Sequence, residues 1–100
     1  MTFLQEVQLA IAVTNAAVNA KFGKGADMLY DVVSIDDDTV FYNCDVLGCA
    51  VRRTAEGIQD FGDTSKEVMA VGPAHRHWHL PRVFPTVADW AAQLNKELLS

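Results

Sequence analysis

Apolar positions recur at three- and four-residue spacing at both ends of the chain and alternate with polar ones in the middle. Near the start, Leu4, Val7, Ile11, Thr14, Val18 and Phe22 fall on one stripe, the spacing of a helix with one buried face. Gln5, Gln8, Asn15, Asn19 and Lys21 lie mainly off it. Thr2 with Gln5 three residues later has the form of a capping box, and Gly23 is the residue that ends a helix most cheaply. The pattern predicts a helix over residues 2–22. Its small sector, Ala10, Ala16, Ala17 and Ala20, allows close approach by a sheet or a second helix.

Toward the other end, Val87, Trp90, Ala91, Leu94 and Leu98 form a second stripe. Thr86 precedes it as an N-cap, and Asp89 sits at the positive end of the helix dipole. A helix opening at Pro85-Thr86 follows.

Between the helices the period changes to two. Residues 28–35 alternate Met28, Tyr30 and Val32 against Leu29, Val33 and Ile35. Asp36-Asp37-Asp38 is a turn, because short acidic side chains bond their own backbone there. Residues 39–44 and 49–54 read as two strands joined by a four-residue loop over 45–48. Residues 58–61 suggest a short fourth strand after Glu56-Gly57, and residues 66–71 a fifth, stopped by Gly72-Pro73. Residues 74–84, fenced by Pro73, Pro81 and Pro85, are too interrupted for a long helix. They fit an edge strand or an extended crossover, and as an edge residues 74–80 could pair two copies. The fold class expected is α+β: one domain over residues 1–100, with an N-terminal helix, an antiparallel sheet of four to five strands and a C-terminal helix packed on it.

Composition supports a folded globule: 100 residues, 50% hydrophobic and 21% charged, enough for one core. The opening residues lack the basic and small-residue signature of a secretory leader, and no apolar run is long enough to span a membrane. The expectation is a cytoplasmic protein. Charge changes the picture more. The net charge is −5, which opposes direct contact with a phosphate backbone. Residues 27–67 carry ten acidic side chains against three basic ones, whereas residues 75–82 hold two Arg and three His with no acid. An acidic middle attracts a basic partner.

Three constellations could carry chemistry. Cys44 and Cys49 would face each other across the expected hairpin. With two of His75, His77 and His79, which alternate and so share a side of an extended segment, they complete a two-Cys, two-His zinc set. The Cys-x4-Cys spacing is loose for such a site, and two thiols packed as small hydrophobes is the simpler account. The strip His75-Arg76-His77-Trp78-His79 with Arg82 offers the residue types that dominate binding hot spots; a core Trp78 beside exposed histidines is the alternative. Asp36, Asp37 and Asp38 lack the spacing of a calcium loop and read as a solvated turn that could also meet a basic surface.

No phosphate loop, nucleophile elbow or activated thiol is present, so an enzyme is not expected. The reading that absorbs most of these features is a small acidic protein-interaction domain, an inhibitor or adaptor. It would bind another macromolecule, such as a nucleic-acid-binding protein, through Asp36, Asp37, Asp38, Arg76, Trp78 and Arg82. In size and acidity it is similar to inhibitors encoded by phages and mobile elements, anti-CRISPR and immunity proteins among them. No cofactor, direct nucleic-acid contact or membrane contact is expected, and the domain would be a monomer or homodimer. The alternatives are a zinc domain and a small ligand-binding module or enzyme with a histidine-lined cleft.

Overall fold

The structure, a computed structural model, describes residues 1–27, 29–44, 47–63 and 81–100. Helix α1 (Phe3–Phe22) is followed by strands β1 (Leu29–Asp36), β2 (Thr39–Cys44), β3 (Leu47–Thr54), β4 (Gly57–Asp63) and β5 (Arg82–Phe84), and by helix α2 (Val87–Leu99). The five strands form one antiparallel sheet in the order β1-β2-β3-β4-β5. The fold class is α+β, as the patterning implies. No helix among the described residues is long and apolar enough to cross a membrane.

Both helices start where the sequence caps them. Thr2 Oγ1 accepts from the Gln5 amide, and the Gln5 side chain accepts in return from the Thr2 amide, which satisfies two otherwise orphaned donors. Thr86 does the same for the Asp89 amide at 3.2 Å. The buried stripe of α1 runs through Phe3, Val7, Ile11, Thr14 and Val18. Phe22, expected on that stripe, is instead half exposed, and Phe3 takes the buried place at the other end.

Leu29, Val40, Tyr42, Val51 and Ile58 line the sheet face that both helices cover, and Trp90 and Leu94 of α2 close the core over it. Trp90 meets Tyr42 edge to face with ring centroids 5.9 Å apart, the arrangement aromatic quadrupoles favour. On the opposite face Ala50 and Phe61 pack with Ile35 and Phe41.

The β2–β3 hairpin differs from its sequence reading. Cys44 pairs with Leu47 and Tyr42 with Cys49, so β2 keeps its expected bounds, β3 begins two residues earlier and the connection is residues 45–46. The two cysteines are therefore not opposite each other. A shift of two positions leaves the same residues on each face of a strand, so alternation could not distinguish the registers. The fourth strand also extends further than residues 58–61, because Ala55-Glu56 makes a tight turn and Gly57 enters β4 with φ +129. Of residues 74–84, the last three form β5 on the edge of the sheet. The strand expected over residues 66–71 and the edge contact expected over 74–80 lie outside the described residues.

The polar flank of α1 secures the first connection. Asn15 donates from Nδ2 to the Leu29 carbonyl at 2.7 Å and accepts from the Leu29 amide at 3.2 Å. Asn19 accepts from the Ala26 amide and donates to Asp27. These residues hold α1 against the edge strand β1 by imitating a strand ladder.

Candidate functional site

Antiparallel strand order places the β1–β2 and β3–β4 turns at one end of the sheet, and the N-termini of both helices come to that same end. One cleft there, of about 510 Å³, is lined by Thr2, Phe3, Leu4, Ser34, Asp37 and Arg53. A second, of about 460 Å³, lies between Glu6, Arg53, the Ala55-Glu56 turn and the Pro85-Thr86-Val87 entry to α2. This pole gathers Asp36, Asp37, Asp38, Glu56, Glu6 and Asp89, six carboxylates from four separate stretches of chain. Arg53 stands among them.

Arg53 is placed by register. Thr39 pairs with Arg52 as the last rung of β2 and β3, so Arg53 runs one residue beyond and opposes the turn. Its amide donates to the Asp38 carbonyl at 2.8 Å, its guanidinium meets Asp38 Oδ1 at 2.9 Å and reaches Glu6 at 3.8 Å, and its Cζ lies over the Phe3 ring, 5.3 Å from the ring centre. Exposed pairs of this kind are worth less than about 1 kcal/mol each; their effect here is to set the positions of the surrounding acids.

The three turn aspartates therefore differ in role. Asp36 accepts from the Asp38 amide and shapes the turn, and Asp38 is tied to Arg53. Asp37 is exposed and, among the described residues, its carboxylate makes no hydrogen bond or ion pair. Arg82, expected as part of an exposed recognition strip, is committed to the fold. It pairs with Asp60 across β4 and β5, and its Nη2 lies 2.7 Å from Asp60 Oδ2 while Nη1 engages Glu97 of α2. Asp60 is only 4% exposed, and its other oxygen accepts from the Gly62 amide at 2.8 Å, so this buried charge is hydrogen-bonded on both sides as burial requires. Arg82 thus ties α2 to the edge of the sheet.

Glu97 is held below the usual carboxylate range, first by the hydrogen bond from Arg82, with burial opposing and Gln93 helping. Arg82 is correspondingly raised, chiefly by Glu97. A carboxylate with a depressed folded pKa adds stability above its unfolded value of about 4.5, and that stability is lost as pH falls through and below it. Glu97→Gln keeps an acceptor and removes the titration. The variant is expected to lose less melting temperature than the native chain between pH 7 and pH 3, by up to about 4–8 °C for an exposed pair worth at most roughly 1 kcal/mol. Equal acid losses in the two proteins would show that this pair does not couple to folding.

A third cleft, of about 440 Å³, runs between the helices and is lined by Met1, Leu9, Val13, Ala88, Ala92 and Asn95 among others. Leu9 and Val13 are each 57% exposed. Residues 7–20 contain no charged side chain at all, a signal in the sequence that α1 is apolar beyond its buried stripe.

Of the remaining sequence candidates, Arg76, Trp78, His75, His77 and His79 lie outside the described residues. Cys44 and Cys49 sit two rungs apart in the β2–β3 ladder, and Cys49 is half buried. Among the described residues no three His, Cys, Asp or Glu side chains come together in a metal-binding group. No protein-family model matches the chain, and no characterised protein or solved structure is similar enough to count as a match.

Proposed function

We propose that this chain is a non-catalytic protein-interaction domain, an inhibitor or adaptor that docks a basic protein through its acidic pole. The observation that supports this reading is the convergence of Asp36, Asp37, Asp38, Glu56, Glu6 and Asp89 at one end, around Arg53. Clustered charge of one sign steers an oppositely charged surface into contact and sets its orientation. The two clefts beside Arg53 give a partner's side chains places to seat. Where that partner binds nucleic acid, the row of carboxylates stands in for phosphates, the form of inhibition that the compact, acidic profile suits.

The test must spare the residues that hold the turn. Asp37 and Glu56 are both exposed turn residues, and their carboxylates make no hydrogen bond or ion pair among the described residues. The double variant Asp37→Lys/Glu56→Lys is expected to fold normally by circular dichroism. In affinity capture from a source-cell lysate, the native domain should retain one stoichiometric basic protein that the variant loses. Association measured with that partner should slow about tenfold in the variant and weaken with added salt. A partner held equally by both proteins, or bound with no salt dependence, would overturn the acidic-pole reading.

A further inference from the structure

The outer face of the helix layer does not behave like a surface built for water. A solvent-facing helix normally carries charge on its exposed side. Helix α1 instead presents Leu9, Ala12, Val13, Ala16 and Ala20 outward, and α2 continues this surface with Ala88 and Ala92 on the far wall of the cleft between them. An exposed apolar face that spans two elements marks an interaction site.

The distribution of charge around this face identifies the occupant. The helices run parallel: Glu6 and Val87 line one end of the layer, and Lys21 Nζ donates to the Leu99 carbonyl at the other. The N-terminal end carries Glu6, Asp89 and, 3.8 Å from Glu6, Arg53, and the C-terminal end carries Lys21, Lys24 and Lys96. Glu97 at the latter end is already paired with Arg82, and Asp27 is held by Asn19 on the β1 flank of α1. The face is therefore apolar in the middle, acidic at one end and basic at the other. Turned by 180° about an axis perpendicular to the helices, such a surface complements itself.

We infer that the exposed α1/α2 face is the seam of a homodimer, in which two copies pack helix layer on helix layer in antiparallel orientation around a twofold axis. Leu9 and Val13 then fill the cleft of the facing copy, and Glu6 of each copy lies toward Lys96 of the other. Alanines at the crest let the helices approach closely. The antiparallel arrangement sends the two acidic poles to opposite ends of the dimer, where separation well beyond the screening length of about 8 Å removes their repulsion. A contact that is the same patch on both copies is isologous and closes at two. At 1.5 Å per residue the helices are about 30 and 20 Å long, and about 10 Å apart, so their outer face has a projected area on the order of 500 Å².

Light scattering coupled to gel filtration tests the seam with the purified chain alone, so its result does not depend on the basic partner proposed above. At about 100 μM, a concentration that saturates a micromolar interface, the native protein should elute with twice the 11.0 kDa chain mass. Leu9→Glu/Val13→Glu should elute at the single-chain mass with an unchanged far-ultraviolet spectrum, since both side chains are more than half exposed and the fold does not need them. Lys96→Glu should raise the dimer dissociation constant about tenfold, and adding Glu6→Lys should restore it, which only the antiparallel seam predicts. A native chain that stays monomeric at this concentration, or a Leu9/Val13 variant that stays dimeric, overturns the inference. So does a charge swap that fails to rescue.

Discussion

Trp90→Ala should lower the melting temperature by about 15–30 °C, the largest single effect expected in the molecule. Trp90 is 1% exposed and packs edge to face on Tyr42, so it joins α2 to the centre of the sheet. Removing a fully buried aromatic side chain costs about 3–5 kcal/mol in lost transfer energy and cavity. In a domain of this size each kcal/mol is worth about 4–8 °C, and total stability is itself only about 5–15 kcal/mol. The indole N–H makes no hydrogen bond among the described residues. Trp90→Phe should therefore lose area but no polar contact, and cost well under half as much. Thermal unfolding followed by circular dichroism decides the matter. A drop below about 5 °C for the alanine variant would mean that α2 is not docked through this residue.

Gly57→Ala is expected to cost on the order of 3 kcal/mol, from two sources that act together. Gly57 has φ +129, a conformation that side-chain-bearing residues rarely adopt, and a Cβ built there would stand 2.3 Å from the Phe84 carbonyl oxygen. The backbone strain alone is worth about 1–3 kcal/mol, and overpacking adds a similar amount. The clash is with backbone, so it is relieved only by moving β5 away from β4. That movement also pulls Arg82 from Asp60, three residues along β4. Gly62 supplies the control. Its φ is +63 and nothing lies within 4 Å of its would-be Cβ, so Gly62→Ala carries only the left-handed penalty of about 1–2 kcal/mol. Urea unfolding of the two variants should rank Gly57→Ala well below Gly62→Ala. The reverse order would show that β5 does not approach β4 as described.

These two variants probe different layers of information. The cap at Thr86, the stripe through Trp90 and Leu94, the capping box of Thr2 and Gln5, and the alternation of β2 and β3 arise from contacts between residues one to four positions apart; the alternation expected for β1 fails, because a register shift at Asp31, with φ 53, puts Leu29 and Val32 on the core side and Ile35 on the other. Such contacts can be read from spacing. The hairpin register could not be, because moving Cys49 from opposite Cys44 to opposite Tyr42 preserves every face. What selects the register is non-local: it carries Arg53 past the end of β2 to the Asp38 carbonyl and the Phe3 ring, groups that belong to other elements. Arg82 illustrates the same limit. Its sequence neighbours suggested a basic recognition strip, yet its partners are Asp60 and Glu97, 22 and 15 residues away. Asp60 itself read as one acid among ten, and only its place in β4 beneath α2 shows it to be buried.

The candidate site divides in the same way. Asp36, Asp37 and Asp38 were legible as an acidic turn because three adjacent Asp after a strand have one local solution. Glu6, Glu56 and Asp89 joined them only through topology, since an antiparallel meander brings alternate turns to one end and parallel helices bring their N-termini there too. The exposed apolar face was half legible: the uncharged run over residues 7–20 was visible, but a periodic sequence does not say which of its apolar positions the core will use. By itself, then, the amino-acid sequence determined the two helices with their N-caps, the existence of the first four strands and the sign of the net charge, all of which follow from composition or from spacing within a few residues; β5 fell in a stretch that the sequence left open between edge strand and crossover. The tertiary structure alone decided which carboxylates stand together, which arginines are committed to the fold and which apolar face is left toward solvent, because those depend on chain segments that are distant in sequence and meet only when the sheet is assembled.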